Sequence, residues 1–122
     1  MEGVIDTNIL VASLVKNDIN HKKARSILNK LERWYLPTSV VHEFIWFLKS
    51  QKLSIDLALP FLLHEKSLIV EVKEDDIIFS IKKCTKKPFN YNDYLIASVA
   101  LRLKNKLITF DEELKKQFKK LK

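Results

Sequence analysis

Val4-Ile5-Asp6-Thr7-Asn8 is the stretch on which the fold turns. Val4-Ile5 reads as a short buried strand, and Asp6 is a charge placed directly after it. A helix follows over Ile9 to Val15, so the chain opens as a strand–helix unit. The same alternation continues outward. Asn20 to Arg33 carries Ala24, Ile27, Leu28 and Leu31 on one helical face, and Trp34-Tyr35-Leu36 is a strand closed by Pro37. Ser39 to Ser50 is a nearly all-apolar helix, and Ser54 to His64 is another, kinked or restarted at Pro60. Leu68 to Val72 is the clearest strand. Asp75 to Thr85 and Asn92 to Asn105 are helices, Leu107 to Thr109 is a strand, and Asp111 to Lys120 is the last helix. Strands separated by helices imply a parallel sheet covered on both faces. The expectation is therefore α/β: one three-layer domain over residues 1–122, with a central parallel sheet of four short strands and room for a fifth at the C-terminal end. In such sheets ligands sit beyond the carboxyl ends of the strands.

Composition narrows the class. The chain has 122 residues, 47% apolar and 30% charged, with one Gly and three Pro. That excludes a disordered or collagen-like chain, and one glycine is too few for the tight turns of an all-β protein. No apolar run approaches the roughly 18 residues that cross a bilayer. The N-terminus has no basic segment leading into a long apolar one, so no secretory signal is expected. The single cysteine, Cys84, cannot form an internal disulfide, which points to a reducing, cytoplasmic setting.

Charge is distributed unevenly. The chain carries 22 Lys+Arg against 15 Asp+Glu, a net +7. Residues 1–81 are near balance, with 10 basic and 11 acidic side chains, whereas residues 82–122 hold 12 basic and 4 acidic. A one-sided positive field attracts a polyanion, although a lysine-rich solvated surface would look the same in sequence. The candidate phosphate contacts are Lys82, Lys83, Lys86, Lys87, Arg102, Lys104 and Lys106.

Four carboxylates stand out against this basic background. Asp6 lies on the strand rim, in a row of three capping residues where one cap needs a single residue. Glu43 falls between Trp46 and Phe47 on its helix, off the polar stripe, so it loses hydration and needs a cation or a proton. A lysine lying over the same face would also satisfy it. Asp93 follows Asn90 in a pattern resembling a capping box, yet Ala97 and Ala100 leave space above it. Asp111 follows the last strand, where Thr109 and Glu112 form the pattern of a capping box. Two of the acids follow strands and two lie near helix starts, so all four can meet at one sheet edge. Carboxylates about 4 Å apart repel by about 4 kcal/mol per pair at an effective dielectric of about 20. A divalent cation relieves that repulsion, and all-oxygen ligation suits Mg²⁺ or Mn²⁺. A negative pocket beside a positive surface fits phosphodiester hydrolysis, with ions activating water and lysines holding the backbone.

These residues resemble the PIN-domain nucleases. The resemblance rests on Ile5-Asp6-Thr7-Asn8, on Glu43 in a helix with a Thr/Ser-rich entry, on Asp93 followed by Leu95-Ile96-Ala97-Ser98-Val99-Ala100, and on Leu107-Ile108-Thr109-Phe110-Asp111. It spans nearly the whole chain and is strongest to the small VapC-type toxins of toxin–antitoxin pairs. It implies a metal-dependent endoribonuclease using Mg²⁺ or Mn²⁺, usually a homodimer and silenced by a small cognate antitoxin. Asp6, Glu43 and Asp93 match the metal-binding carboxylates and Asp111 the fourth, more peripheral acid. Thr7, Asn8 and Thr109 match supporting polar positions, and Asn92 joins them by proximity. Many family members add a last strand where this chain reads Phe118-Lys119-Lys120-Leu121-Lys122.

Other readings carry less. A phospho-accepting receiver domain needs an acidic pair at the first strand and an acceptor Asp after the third, and neither is present. A PIN-fold module that binds RNA or protein without cutting is the standing alternative. His21, His42 and His64 lack metal-ligand spacing and read as surface or packing residues. Cys84 reads as a small helical filler. Trp34, Tyr35, Trp46 and Phe47 read as core or subunit interface.

Overall fold

A computed structural model describes residues 1–85 and 90–122. Among these residues four strands form one sheet: β1 (Glu2–Ile5), β2 (Arg33–Pro37), β3 (Ser67–Val70) and β4 (Leu107–Ile108). Their order is β3-β2-β1-β4, and every pairing is parallel. Val4 stands opposite Tyr35 on one side and Leu107 on the other, so β1 is central. Gly3, Val4 and Ile5 are all buried, as expected for a strand covered on both faces. Gly3 permits a close approach: a Cβ there would lie 2.5 Å from Ile108 Cγ1.

Among the described residues seven α-helices flank the sheet, making three layers with it: α1 (Thr7–Leu14), α2 (His21–Lys30), α3 (Thr38–Ser50), α4 (Leu59–Leu62), α5 (Glu74–Lys83), α6 (Tyr91–Arg102) and α7 (Glu112–Leu121). The core centres on Phe44 of α3, fully buried and packed edge-on against Phe61 at 5.4 Å. Ala97 and Ala100 are fully buried, and their small size lets α6 pack on α3, β1 and β4.

The structure differs from the sequence reading in a few places. The segment expected as one helix over Ser54 to His64 splits into a 3-10 turn, Ile55–Ala58, and the short α4. Pro60 sits in the first turn of α4, where its missing N–H leaves no bond unmade. β3 begins one residue earlier than expected and ends at Val70. There Val72 N–H leaves the strand to donate to Thr38 Oγ1 at 3.1 Å. No fifth strand follows α7 among the described residues. The capping box expected at Thr109 and Glu112 is absent: Asp111 caps α7, accepting from Leu114 N–H at 3.1 Å.

Candidate functional site

Parallel topology brings the carboxyl end of each strand and the start of the next helix to one edge. Asp6 ends β1 and caps α1, its Oδ1 accepting from Thr7 N–H at 2.7 Å. Its Oδ2 accepts from the Thr109 hydroxyl at 2.7 Å. Thr109 is buried, and its oxygen also accepts from Asn8 Nδ2 at 3.1 Å and Asp111 N–H at 3.0 Å. Asn8 in turn accepts from Phe110 N–H through Oδ1 at 3.2 Å. The chain after β4 is thereby clamped to the start of α1, and Asp6 is held in one orientation. Glu43, in the second turn of α3, accepts from the Thr7 hydroxyl at 2.9 Å and from Asn92 Nδ2 at 3.4 Å. Asp93 lies in the first turn of α6, where the helix dipole favours a negative charge.

Asp6, Glu43, Asp93 and Asp111 line one open cleft of about 450 Å³. Phe47 and Phe110 form apolar parts of its wall. Asp18 and Asn20, from the loop between α1 and α2, line it too; nothing in the local sequence pattern marks them. Lys23 of α2 stands over the Phe110 ring, 5.8 Å from its centroid. It is a nearby cation absent from the expected phosphate contacts.

The electrostatics are those of unneutralised acids. Burial pushes the Asp6 carboxyl above the usual range, against the hydrogen bonds from Thr109 and Thr7. Burial raises Glu43 as well, with Asp6 adding repulsion. Asp93 is pushed up to about 6, first by burial and then by the charges of Asp111, Asp6 and Glu43. Among the described residues none of the four acids forms an ion pair. Nor, as placed, do any three His, Cys, Asp or Glu side chains stand close enough to ligate one ion directly. The donor chemistry still fits Mg²⁺ or Mn²⁺: every ionisable group lining the cleft is a carboxylate, with amide and hydroxyl oxygens between. Mg²⁺ keeps several of its waters and so reaches carboxylates at a distance. A bare cluster is also held apart by the repulsion that a cation would remove.

The expected basic contacts scatter. Lys82 and Lys83 end α5 and are exposed. Lys86 and Lys87 lie outside the described residues. Arg102 is engaged elsewhere, donating to buried Asp76 at 2.9 Å and to Glu71 C=O at 2.9 Å. Lys104 and Lys106 line a cleft with Glu2, at the start of β1 and β4, the opposite edge of the sheet. The aromatic residues also diverge. Trp34 is buried, donates to Leu28 C=O and stacks on His64 at 4.3 Å. Tyr35 donates to Glu2 at 2.8 Å. Trp46 is 65% exposed beneath Lys49, and Phe47 faces the acidic cleft. His21 ties α2 to Ala12 C=O at 2.8 Å, and Cys84 is buried and unpaired.

Residues 3–119 match the model of the PIN domain family. The chain belongs to that family. No curated protein sequence matches it. Among solved structures, this PIN domain is similar to the sarcin–ricin-loop-cleaving toxin VapC20 of Mycobacterium tuberculosis, with a TM-score of 0.83 at 14% identity, covering 96% of this chain and 95% of that one. It is also similar to a toxin–antitoxin complex from Klebsiella pneumoniae, with a TM-score of 0.69 at 17% identity over 89% of this chain and 86% of that one. VapBC2 from Rickettsia felis, solved bound to a promoter DNA fragment, gives 0.66 at 20% identity over 95% and 92%. At these identities the likeness establishes a shared fold. No helix among the described residues of this PIN domain is long and apolar enough to cross a membrane.

Proposed function

We propose that this PIN domain, occupying residues 1–122, is a divalent-metal-dependent endoribonuclease and the toxin of a toxin–antitoxin pair. The observation that carries the reading is the single cleft lined by Asp6, Glu43, Asp93 and Asp111, with no cation paired to any of them among the described residues. Acids so placed raise one another's proton affinity, and a divalent ion is the group that relieves them.

Asp6, Glu43 and Asp93 would hold Mg²⁺ or Mn²⁺, with Asp111 contributing at the periphery. When bound there, such an ion would supply Lewis acidity toward a phosphate oxygen and an activated water. Thr109 and Thr7 fix the Asp6 and Glu43 carboxylates through their hydroxyls. Asn8 holds Thr109, and Asn92 steadies Glu43 from α6. Lys82, Lys83, Lys86 and Lys87 meet the RNA backbone, so binding weakens steeply with salt. Lys104 and Lys106 serve only an RNA long enough to reach the opposite sheet edge.

The partner is a cognate antitoxin, supported by neighbours solved as toxin–antitoxin complexes. A homodimer is supported by exposed apolar side chains on α5 (Ile77, Ile78 and Ile81) and on the edge strand β3 (Leu68 and Ile69). The location is cytoplasmic, in keeping with one buried thiol and no internal disulfide.

The deciding experiment is RNA cleavage with Mg²⁺ or Mn²⁺ by the purified chain and by Asp6→Asn. Metal-dependent cleavage lost in the variant supports the reading, and cleavage retained in a clean preparation of the variant overturns it. The second reading is a PIN-fold module that binds RNA or protein and cuts weakly or not at all. RNA binding with no metal uptake in a titration would select it.

A further inference from the structure

The sheet ends at β4, and that edge is open among the described residues. Lys106 and Ile108 turn their carbonyls inward, accepting from Val4 N–H at 2.8 Å and Asp6 N–H at 2.9 Å. Alternate residues of a strand bond to alternate sides, so Leu107 directs its N–H and C=O away from β1. An unpaired edge is a template for another backbone.

Two clefts of about 270 Å³ each flank this edge. One runs between β4 and α2, floored by Ile27, Leu31 and Ile108. The other runs between β4 and α7, floored by Leu107 and Phe118. Successive side chains of an added strand point to opposite sides, so the two clefts can receive its alternate residues. The rims are basic: Lys30 on the first, Lys106, Lys119 and Lys122 on the second, and Lys115 on both. No acidic side chain lines either cleft among the described residues. Lys115 does pair with Glu112 at 3.2 Å, but on the surface, where such pairs are weak.

We infer that the β4 edge is a docking strip for an extended acidic segment of a partner protein, added as a further strand whose apolar side chains enter the α2 and α7 clefts. The apolar floors and the free backbone groups of Leu107 favour a peptide over RNA, because an added strand pairs with both N–H and C=O and carries apolar side chains to the floors. The lysine rim selects carboxylates on that peptide. The inference is independent of whether the acidic cleft cuts RNA. Thr109, which holds Asp6, follows directly after β4, so an occupant of the strip lies one residue from the carboxylate site.

The test uses the full chain and a synthetic peptide of alternating glutamate and valine, eight residues long, with blocked ends. Binding is read by fluorescence anisotropy, and its place by amide hydrogen exchange. The expected result is saturable binding with new protection at the Leu107 amide. The same peptide N-methylated at alternate amides should bind at least about tenfold more weakly, and so should the native peptide to Lys115→Glu/Lys119→Glu. Equal binding of the N-methylated peptide, equal binding of a lysine–valine counterpart, or protection confined to other segments overturns the inference. So does protection of Leu107 by a single-stranded RNA oligomer that the acidic peptide fails to reproduce.

Discussion

Asp76 and Asp93 are both aspartates in the first turn of a helix, on the neighbouring helices α5 and α6, and their surroundings are opposite. Asp76 is 1% exposed, and burial alone would raise its carboxyl. Hydrogen bonds from Arg102, Lys73 N–H and Ser98 outweigh that burial, and its pKa falls below the ordinary value. Asp93 is less buried, but burial and then the charges of Asp111, Asp6 and Glu43 push its pKa up to about 6, and no cation is paired to it among the described residues. An acid whose charge the protein has already answered holds two helices together. An acid whose charge the protein leaves unanswered is one that the proposed cation would neutralise.

The sharpest way to break this comparison is to exchange the two kinds of loss. Asp6→Asn keeps a residue that caps α1 and can still accept from Thr109. It should lower metal-dependent RNA cleavage by about a thousandfold, several kcal/mol of transition-state stabilisation, while urea unfolding stays close to that of the parent. Asp76→Ala should do the reverse. Removing the buried carboxyl leaves the partly exposed Arg102 and the Ser98 and Lys73 donors without it and costs about 3 kcal/mol of stability. Urea unfolding should show that loss, while cleavage per folded molecule persists. A comparable activity loss in both variants would erase the distinction.

A smaller effect concerns pH. Asp93 holds its proton up to about pH 6 in the folded chain, whereas the unfolded chain releases it near 3.8. Between those values the folded state binds more protons, so metal-free stability falls as pH rises through that window. The raised carboxyls of Asp6 and Glu43 act in the same direction. Asp76 acts oppositely: its contribution is complete above 3.8 and is lost below, as pH falls through its lowered pKa. Thermal unfolding without metal should therefore give a higher midpoint near pH 5 than near pH 7.5. Mg²⁺ or Mn²⁺ should close that gap at pH 7.5, because an ion that binds only the folded chain stabilises it. A midpoint that rises from pH 5 to 7.5 in the absence of metal would contradict the account.

The smallest effect is at Thr109. Thr109→Val removes the hydroxyl that donates to Asp6 and accepts from Asn8 and Asp111, at a cost of about 1–3 kcal/mol in stability. If Thr109 positions Asp6, the variant should also need more metal for half-maximal cleavage, and Thr109→Ser should restore both properties. A stability loss with unchanged metal requirement would leave Thr109 a purely structural clamp.

The sheet was readable because β1 is apolar on both faces and each following segment changes its apolar period between strand and helix. The approach of Asp6, Glu43, Asp93 and Asp111 follows from that topology, since a parallel sheet brings strand ends and helix starts to one side. The partners of side chains were less readable. Thr109 matched a local capping pattern with Glu112, but its hydroxyl is used 103 residues away, at Asp6. Arg102 looked like part of a basic surface, but it reaches back 26 residues to Asp76. Local spacing carries no trace of such pairings. Asp18 and Asn20 reach the acidic cleft from a loop, where no period marks direction. Pro60 was visible as an interruption, but whether it kinks a helix or opens a new one depends on which residues find packing before it.

Asp6 begins α1 with the same side chain that faces the acidic cleft. Copies of this gene that lose the proposed cleavage are therefore constrained in how they decay. Asparagine keeps the helix start, while alanine or valine gives it up. A lineage of inactive copies should accumulate asparagine at this position well before it drifts to an aliphatic residue.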